Sequence, residues 1–89
     1  MTTQEISEKV KELIQPYTAG FEITDNSELE ADLGMDSLDM IETICNLERD
    51  FDIVITDDEA QKIKTFGQLT AMTERLVNDK TGTGSRLKN

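Results

Sequence analysis

Leu33-Gly34-Met35-Asp36-Ser37-Leu38-Asp39 closes a polar, turn-rich stretch and opens the strongest helical pattern in the chain. Ser37 therefore falls at a helix start, where unpaired backbone N–H groups and the helix dipole favour negative charge. Two readings follow. Asp or Ser ahead of an apolar run is an ordinary N-cap. Alternatively, the Ser37 hydroxyl is a place where a phosphate ester would sit in a favourable field. The local sequence leaves both open.

Laid out at 100° per residue, Met40, Ile44, Leu47 and Phe51 form one stripe downstream of this start, bordered by Thr43. That stripe is a core face. Leu38, Ile41 and Cys45 fall on a different side, flanked by Glu42, Arg49 and Glu48. Single exposed apolar residues need no explanation, but three aligned on an acidic helix beside Ser37 read as a docking strip.

Upstream, Ile6, Val10, Leu13 and Ile14 follow the i, i+4, i+7, i+8 spacing of an amphipathic helix from about Thr3 to Gln15, stopped by Pro16. Tyr17 to Met35 has no period and is rich in turn formers. Phe21, Ile23, Leu29 and Leu33 are expected to pin this long loop across the bundle, with one loose helical turn within Asp25 to Asp32. Downstream, Ile53-Val54-Ile55 reads as a buried connector, because no strand partner is visible. Thr56-Asp57-Asp58-Glu59 has capping-box form and opens a short helix through Ile63. Thr65-Phe66-Gly67-Gln68 has the related Gln form and opens a last helix, with Phe66, Leu69, Met72 or Thr73, and Leu76 inward. The weakly apolar Thr70-Ala71-Met72-Thr73 is expected to fray. The fold class is thus all-α, a small four-helix bundle of three main helices and one short one with a long first loop. Residues 1–78 form the domain and 79–89 a disordered tail.

Composition narrows the function. In 89 residues, Leu, Ile, Val and Phe supply 22, above the level at which so charged a chain stays unfolded. No apolar run is long enough to span a membrane, and the N-terminus lacks signal-peptide features, so a cytoplasmic setting is expected. With one cysteine and no histidine, an internal disulfide, a Cys/His zinc site and histidine-based triads are excluded. Asp50-x-Asp52 fails as a calcium loop, since Val54, Ile55 and Gln61 stand at ligand and turn positions. No metal site is expected, and no catalytic residues. The net charge is −10, and between Glu22 and Glu59 there are 14 acids and one base, Arg49. Such a field repels nucleic acid and anionic membranes and steers partners with Lys/Arg patches.

Asp32-Leu33-Gly34-Met35-Asp36-Ser37-Leu38-Asp39, followed by Glu42, Leu47-Glu48 and Phe51, resembles the acyl carrier proteins. Ile55 through Glu59-Ala60 to Lys62-Ile63, then Thr65-Phe66-Gly67-Gln68-Leu69, continue the likeness, which spans roughly Ile6 to Leu76. The resemblance implies that Ser37 carries 4′-phosphopantetheine, transferred from coenzyme A by a phosphopantetheinyl transferase with a magnesium ion, whose thiol holds acyl groups as thioesters. It implies a monomeric shuttle between acyl-processing synthases and transferases with basic patches, not an enzyme. Asp36, Asp39, Glu42 and Glu48 match the acids that meet such partners. Leu38, Ile41 and Cys45 match the apolar strip between them. Met40, Ile55, Ala60, Ile63, Leu69 and Met72 match residues that line a space for the acyl chain. Arg49, Thr43 and Met72 depart from the family pattern, where an acid, a large aliphatic and an aromatic are usual. Fatty-acid biosynthesis is the pathway that fits best. The alternatives are a specialised carrier for polyketide, lipid or D-alanyl/aminoacyl transfer and, in a different class, an unmodified acidic helical interaction module.

Overall fold

A computed structural model describes the backbone of residues 2–83 and the side chains of residues 2–79. Its helices are α1 (Thr3–Ile14), α2 (Ser37–Phe51), α3 (Asp57–Gln61) and α4 (Phe66–Thr83), and a short 3₁₀ turn, Gln15–Tyr17, follows α1. Among the described residues there is no strand, only one isolated antiparallel bridge between Glu28 and Thr65. This is the four-helix arrangement the periodicity predicts.

Each helix starts where a side chain can satisfy its first N–H groups. Thr2 and Glu5 form a reciprocal box at α1, and Thr65 and Gln68 do the same at α4: Gln68 N–H donates to Thr65 Oγ1 and Thr65 N–H to Gln68 Oε1, both at 3.1 Å. Thr56 Oγ1 accepts from Glu59 N–H at 3.2 Å to open α3. That helix stops at Gln61, two residues short of Ile63. Pro16 ends α1 as expected, in the first turn of the 3₁₀ segment, where its missing N–H costs nothing.

Ile6, Val10 and Ile14 of α1, Leu47 of α2 and Leu69 of α4 are wholly or almost wholly buried. Around them close Ile23, Leu29, Leu33, Phe51, Ile53, Ile55 and Phe66. The expected core stripe of α2 shifts slightly. Thr43, placed at its border, is fully buried, while Met40 and Ile44 are only partly so.

Three expectations are corrected. Phe21 does not pin the loop: it is 56% exposed, its ring facing Gly34 from outside, while Ile23, Leu29 and Leu33 go inward. Val54 is 76% exposed, because an extended connector alternates its side chains and Ile53 and Ile55 take the inner positions. Thr70-Ala71-Met72-Thr73 does not fray. Thr70, Met72 and Thr73 are buried, and the Thr73 hydroxyl donates to Leu69 O at 2.9 Å, turning a polar residue back on its own helix. The helix runs on through Thr83, past the boundary expected near Asn78; residues 84–89 of the expected tail lie outside the described residues.

The long loop is ordered by the segment that opens α4. Leu29 N–H donates to Lys64 O, Phe66 N–H to Ser27 O and Gly67 N–H to Asp25 O, each at 2.9 Å. A Cβ on Gly67 would stand 2.9 Å from Asp25 O, so only glycine permits this approach. Between Glu28 and Gly34 the backbone makes a single helical turn, displaced toward α2 from the Asp25 to Asp32 span expected for it, with Asp32 N–H bonded to Glu28 O and Gly34 N–H to Glu30 O. Gly34 leaves it at φ +76°, which aims the chain into α2.

Candidate functional site

Asp36, not Ser37, caps α2. Its Oδ1 accepts from Asp39 N–H at 2.8 Å, and Asp39 Oδ2 accepts from Asp36 N–H at 3.2 Å. Ser37 is the first helical residue, exposed, and among the described residues no hydrogen bond engages its hydroxyl. The oxygen is therefore unoccupied by capping and lies at the positive end of a fifteen-residue helix.

From Ser37 a groove of about 380 Å³ runs between α2 and the segment around α3. Met40, Ile41, Ala60 and Ile63 give it apolar walls, with Glu28, Glu30 and Lys64 at its polar side. A second groove of about 370 Å³ shares Met40, Ile41 and Ala60 and extends past Ile44, Cys45 and Glu48 to Ile55. Both lie within the size range of small-molecule sites.

The candidate residues divide. Met40, Ile55, Ala60 and Ile63 line these two grooves. Met72 meets Ile63 instead in a third groove of about 310 Å³ on the other side of α3, beside Ala71 and Arg75. Leu69 lines none of the three; it is fully buried in the core. Leu38 and Ile41 are 61% and 60% exposed, and Cys45 is exposed with a free thiol, so the apolar strip found on the helical wheel is a real surface.

The acids differ in what they do. Glu42 is exposed. Tyr17 lies beside it, and the Glu42 carboxylate holds the phenol above its usual range, aided by desolvation and opposed by Asn46. Glu48 is half-buried and turned inward, its Oε2 accepting from Ile55 N–H at 2.9 Å. Sequence reasoning missed that bond and also missed Lys64, the groove's cation; neither lies on a periodic stripe that would have marked it. Among the described residues no cluster of acids or cysteine is arranged to hold a metal ion.

A family model described as a phosphopantetheine attachment site matches residues 5–73. The chain belongs to the acyl carrier proteins. It is 42% identical over 78 residues to an acyl carrier protein of Amoebophilus asiaticus, covering 85% of this chain and 98% of that one. To an acyl carrier protein of Lactobacillus acidophilus it is 44% identical over 72 residues, covering 75% and 86%. The solved structure of a Mycobacterium tuberculosis protein assigned to the same family superposes with a TM-score of 0.74 at 37% identity, covering 79% of this chain and 96% of that one. The protein is thus a carrier, not an enzyme, its cofactor is phosphopantetheine, and its family works with acyl-processing enzymes.

Proposed function

We propose that Ser37 is the attachment point of 4′-phosphopantetheine and that the carrier serves fatty-acid biosynthesis. The observation that supports this most is the division of labour at the start of α2. Asp36 and Asp39 satisfy each other's N–H groups, and the intervening Ser37 hydroxyl is left exposed at the head of an apolar-walled groove. A phosphodiester there faces a helix N-terminus and one cation, Lys64, so the residues present fit the group. When bound, the group supplies a thiol on which acyl chains ride as thioesters. With no histidine in the chain, no imidazole of its own takes the Ser37 proton.

Around this point Leu38, Ile41 and Cys45 form the apolar contact for partner enzymes, rimmed by Asp36, Asp39 and Glu42 as the acids that draw basic patches. Glu48 belongs to this set only in part, since its carboxylate is already engaged by Ile55. Exposed ion pairs contribute little affinity each, so docking is fast, weak and salt-sensitive, as a shuttle requires.

Mass spectrometry after incubation with coenzyme A and a broad-range phosphopantetheinyl transferase tests the attachment. The wild type should gain one phosphopantetheine and Ser37→Ala none. Equal gain on both would move the site elsewhere. The pathway is read from the mass of the group found on protein isolated from its own cells: a saturated or β-keto acyl chain supports fatty-acid synthesis, and an aminoacyl group excludes it.

A further inference from the structure

Between Glu22 and Glu59 the chain carries 14 acids and one base, Arg49. That base stands in line with the exposed strip of α2. It follows Cys45 by four residues and Ile41 by eight, the spacing of one ridge on a helix. Glu42 lies two turns before it, about 10 Å back along the same side.

The guanidinium is held in place and yet open. Its Nε donates to Asp50 Oδ1 at 3.3 Å and its Nη2 to Asn46 Oδ1 at 3.1 Å, so the group leans back over the turn that precedes it. The side chain is still 71% exposed. Glu48, its neighbour in sequence, is turned inward to Ile55 N–H and does not pair with it. Of the five N–H donors an arginine carries, both on Nη1 and one on Nη2 have no partner among the described residues. Nη1 and Nη2 form an edge that a carboxylate can engage with two parallel bonds.

Two roles suit such a group. As a counter-charge it would temper the surrounding acids, and its exposed pair with Asp50 would contribute little. As a contact it would receive a partner's carboxylate. The open edge, held by the neutral Asn46 in line with the strip, favours contact. The resulting face is bipolar: Asp36, Asp39 and Glu42 at the Ser37 end, the apolar Leu38, Ile41 and Cys45 between, and Arg49 at the far end. A docking patch made of Lys and Arg throughout would set a like charge against Arg49, which discriminates against it.

Resting on the reading that this strip docks partner enzymes, we propose that Arg49 is a selectivity contact. The carrier's own partners set a carboxylate about 10 Å beyond the cations that meet Glu42, and enzymes with uniformly basic patches are disfavoured.

The test uses the modified protein, its load first verified by mass, as the varied substrate of the acyltransferase from its own cells that charges the thiol. Arg49→Glu should lower kcat/KM about ten-fold and Arg49→Gln about three-fold. Arg49→Lys keeps the charge without the fork and should fall between Arg49→Gln and the wild type. The neutral variant guards against a helix-end effect, since an added acid near the C-terminus of α2 opposes its dipole. A counter-charge predicts the opposite sign, because removing the base deepens the field that attracts Lys/Arg patches. Equal or faster transfer by Arg49→Gln and Arg49→Glu would therefore overturn the proposal. Glu42→Gln and Ile41→Glu report on the docking reading itself. If they slow transfer and the Arg49 variants do not, the strip remains the docking face and the selectivity role of Arg49 falls. If they have no effect, both readings fall. Light scattering that shows a dimer dissolved by Arg49→Glu would assign the arginine to a contact between copies of the chain, and would also overturn the proposal.

Discussion

Asp36 and Asp39 bond each other's backbone N–H across the first turn of α2, with Ser37 enclosed between them but taking no part. The cap is made entirely by residues on either side of the proposed modification site. Stability at the helix start and chemistry at the hydroxyl are thereby assigned to different side chains.

Asp36→Ala should therefore lower stability by about 1 kcal/mol, a drop of about 4–8 °C in melting temperature for a domain of this size. Ser37→Ala should change it by no more than about 0.5 kcal/mol. Thermal melts of the unmodified proteins compare the two directly. Equal losses would mean that the Ser37 hydroxyl shares in the cap.

Glu48 and Ile41 make an opposed pair. Glu48→Ala removes the acceptor from Ile55 N–H and should cost about 1–3 kcal/mol, visible as a lower denaturant midpoint. Ile41→Glu, on the open strip, should leave the midpoint unchanged and slow transfer to partner enzymes. A stable Glu48→Ala would show that water replaces the carboxylate at no cost.

Thr43 and Thr70 each bury a hydroxyl with no hydrogen-bond partner among the described residues. Valine keeps the branched shape and removes the unsatisfied oxygen, so Thr43→Val should stabilise the fold by about 1 kcal/mol. Thr73→Val should not, because it breaks the bond to Leu69 O. Melting temperatures of the two variants should move apart; a fall in both would reveal a partner for Thr43 in solution.

Acid should loosen the contact between α3 and α4. The Glu59 carboxylate is held below its ordinary value of 4.5, chiefly by its hydrogen bond to Arg75, whose own value is raised by the same contact. A depressed carboxylate adds stability above its unfolded value and loses it as pH falls through the folded one. Glu59→Gln should accordingly be less stable than the wild type at neutral pH, with the difference shrinking from about pH 4.5 downward. A difference independent of pH would show that the pair acts through packing.

The periodic parts of the chain are legible in its residues alone. Apolar spacing places α1 and α2, the Thr-x-x-Gln pattern marks the start of α4, and the wheel separates Leu38, Ile41 and Cys45 from the core. What is not legible depends on partners distant in sequence. Nothing local distinguishes Phe21 from Ile23, yet one faces out and the other in. Glu48 reads as a rim acid because its bond to Ile55 crosses the turn after α2. Leu69 matches the family's pocket positions but sits too deep to reach the groove at Ser37 or the one beside it. The threonines of α4 read as weak because hydropathy cannot foresee a hydroxyl turned back on its own helix.

The five residues of α3 bury none of their own side chains completely, whereas α2 commits Thr43, Leu47 and Phe51 to the core. Grooves lie on both sides of α3, and its closest ties are the Glu48–Ile55 bond just before it and the Glu59–Arg75 pair within it. Tilting α3 would withdraw no large side chain from the interior. Anchoring is thus allotted unevenly: α2 is held by three side chains committed to the core, and its short neighbour by none.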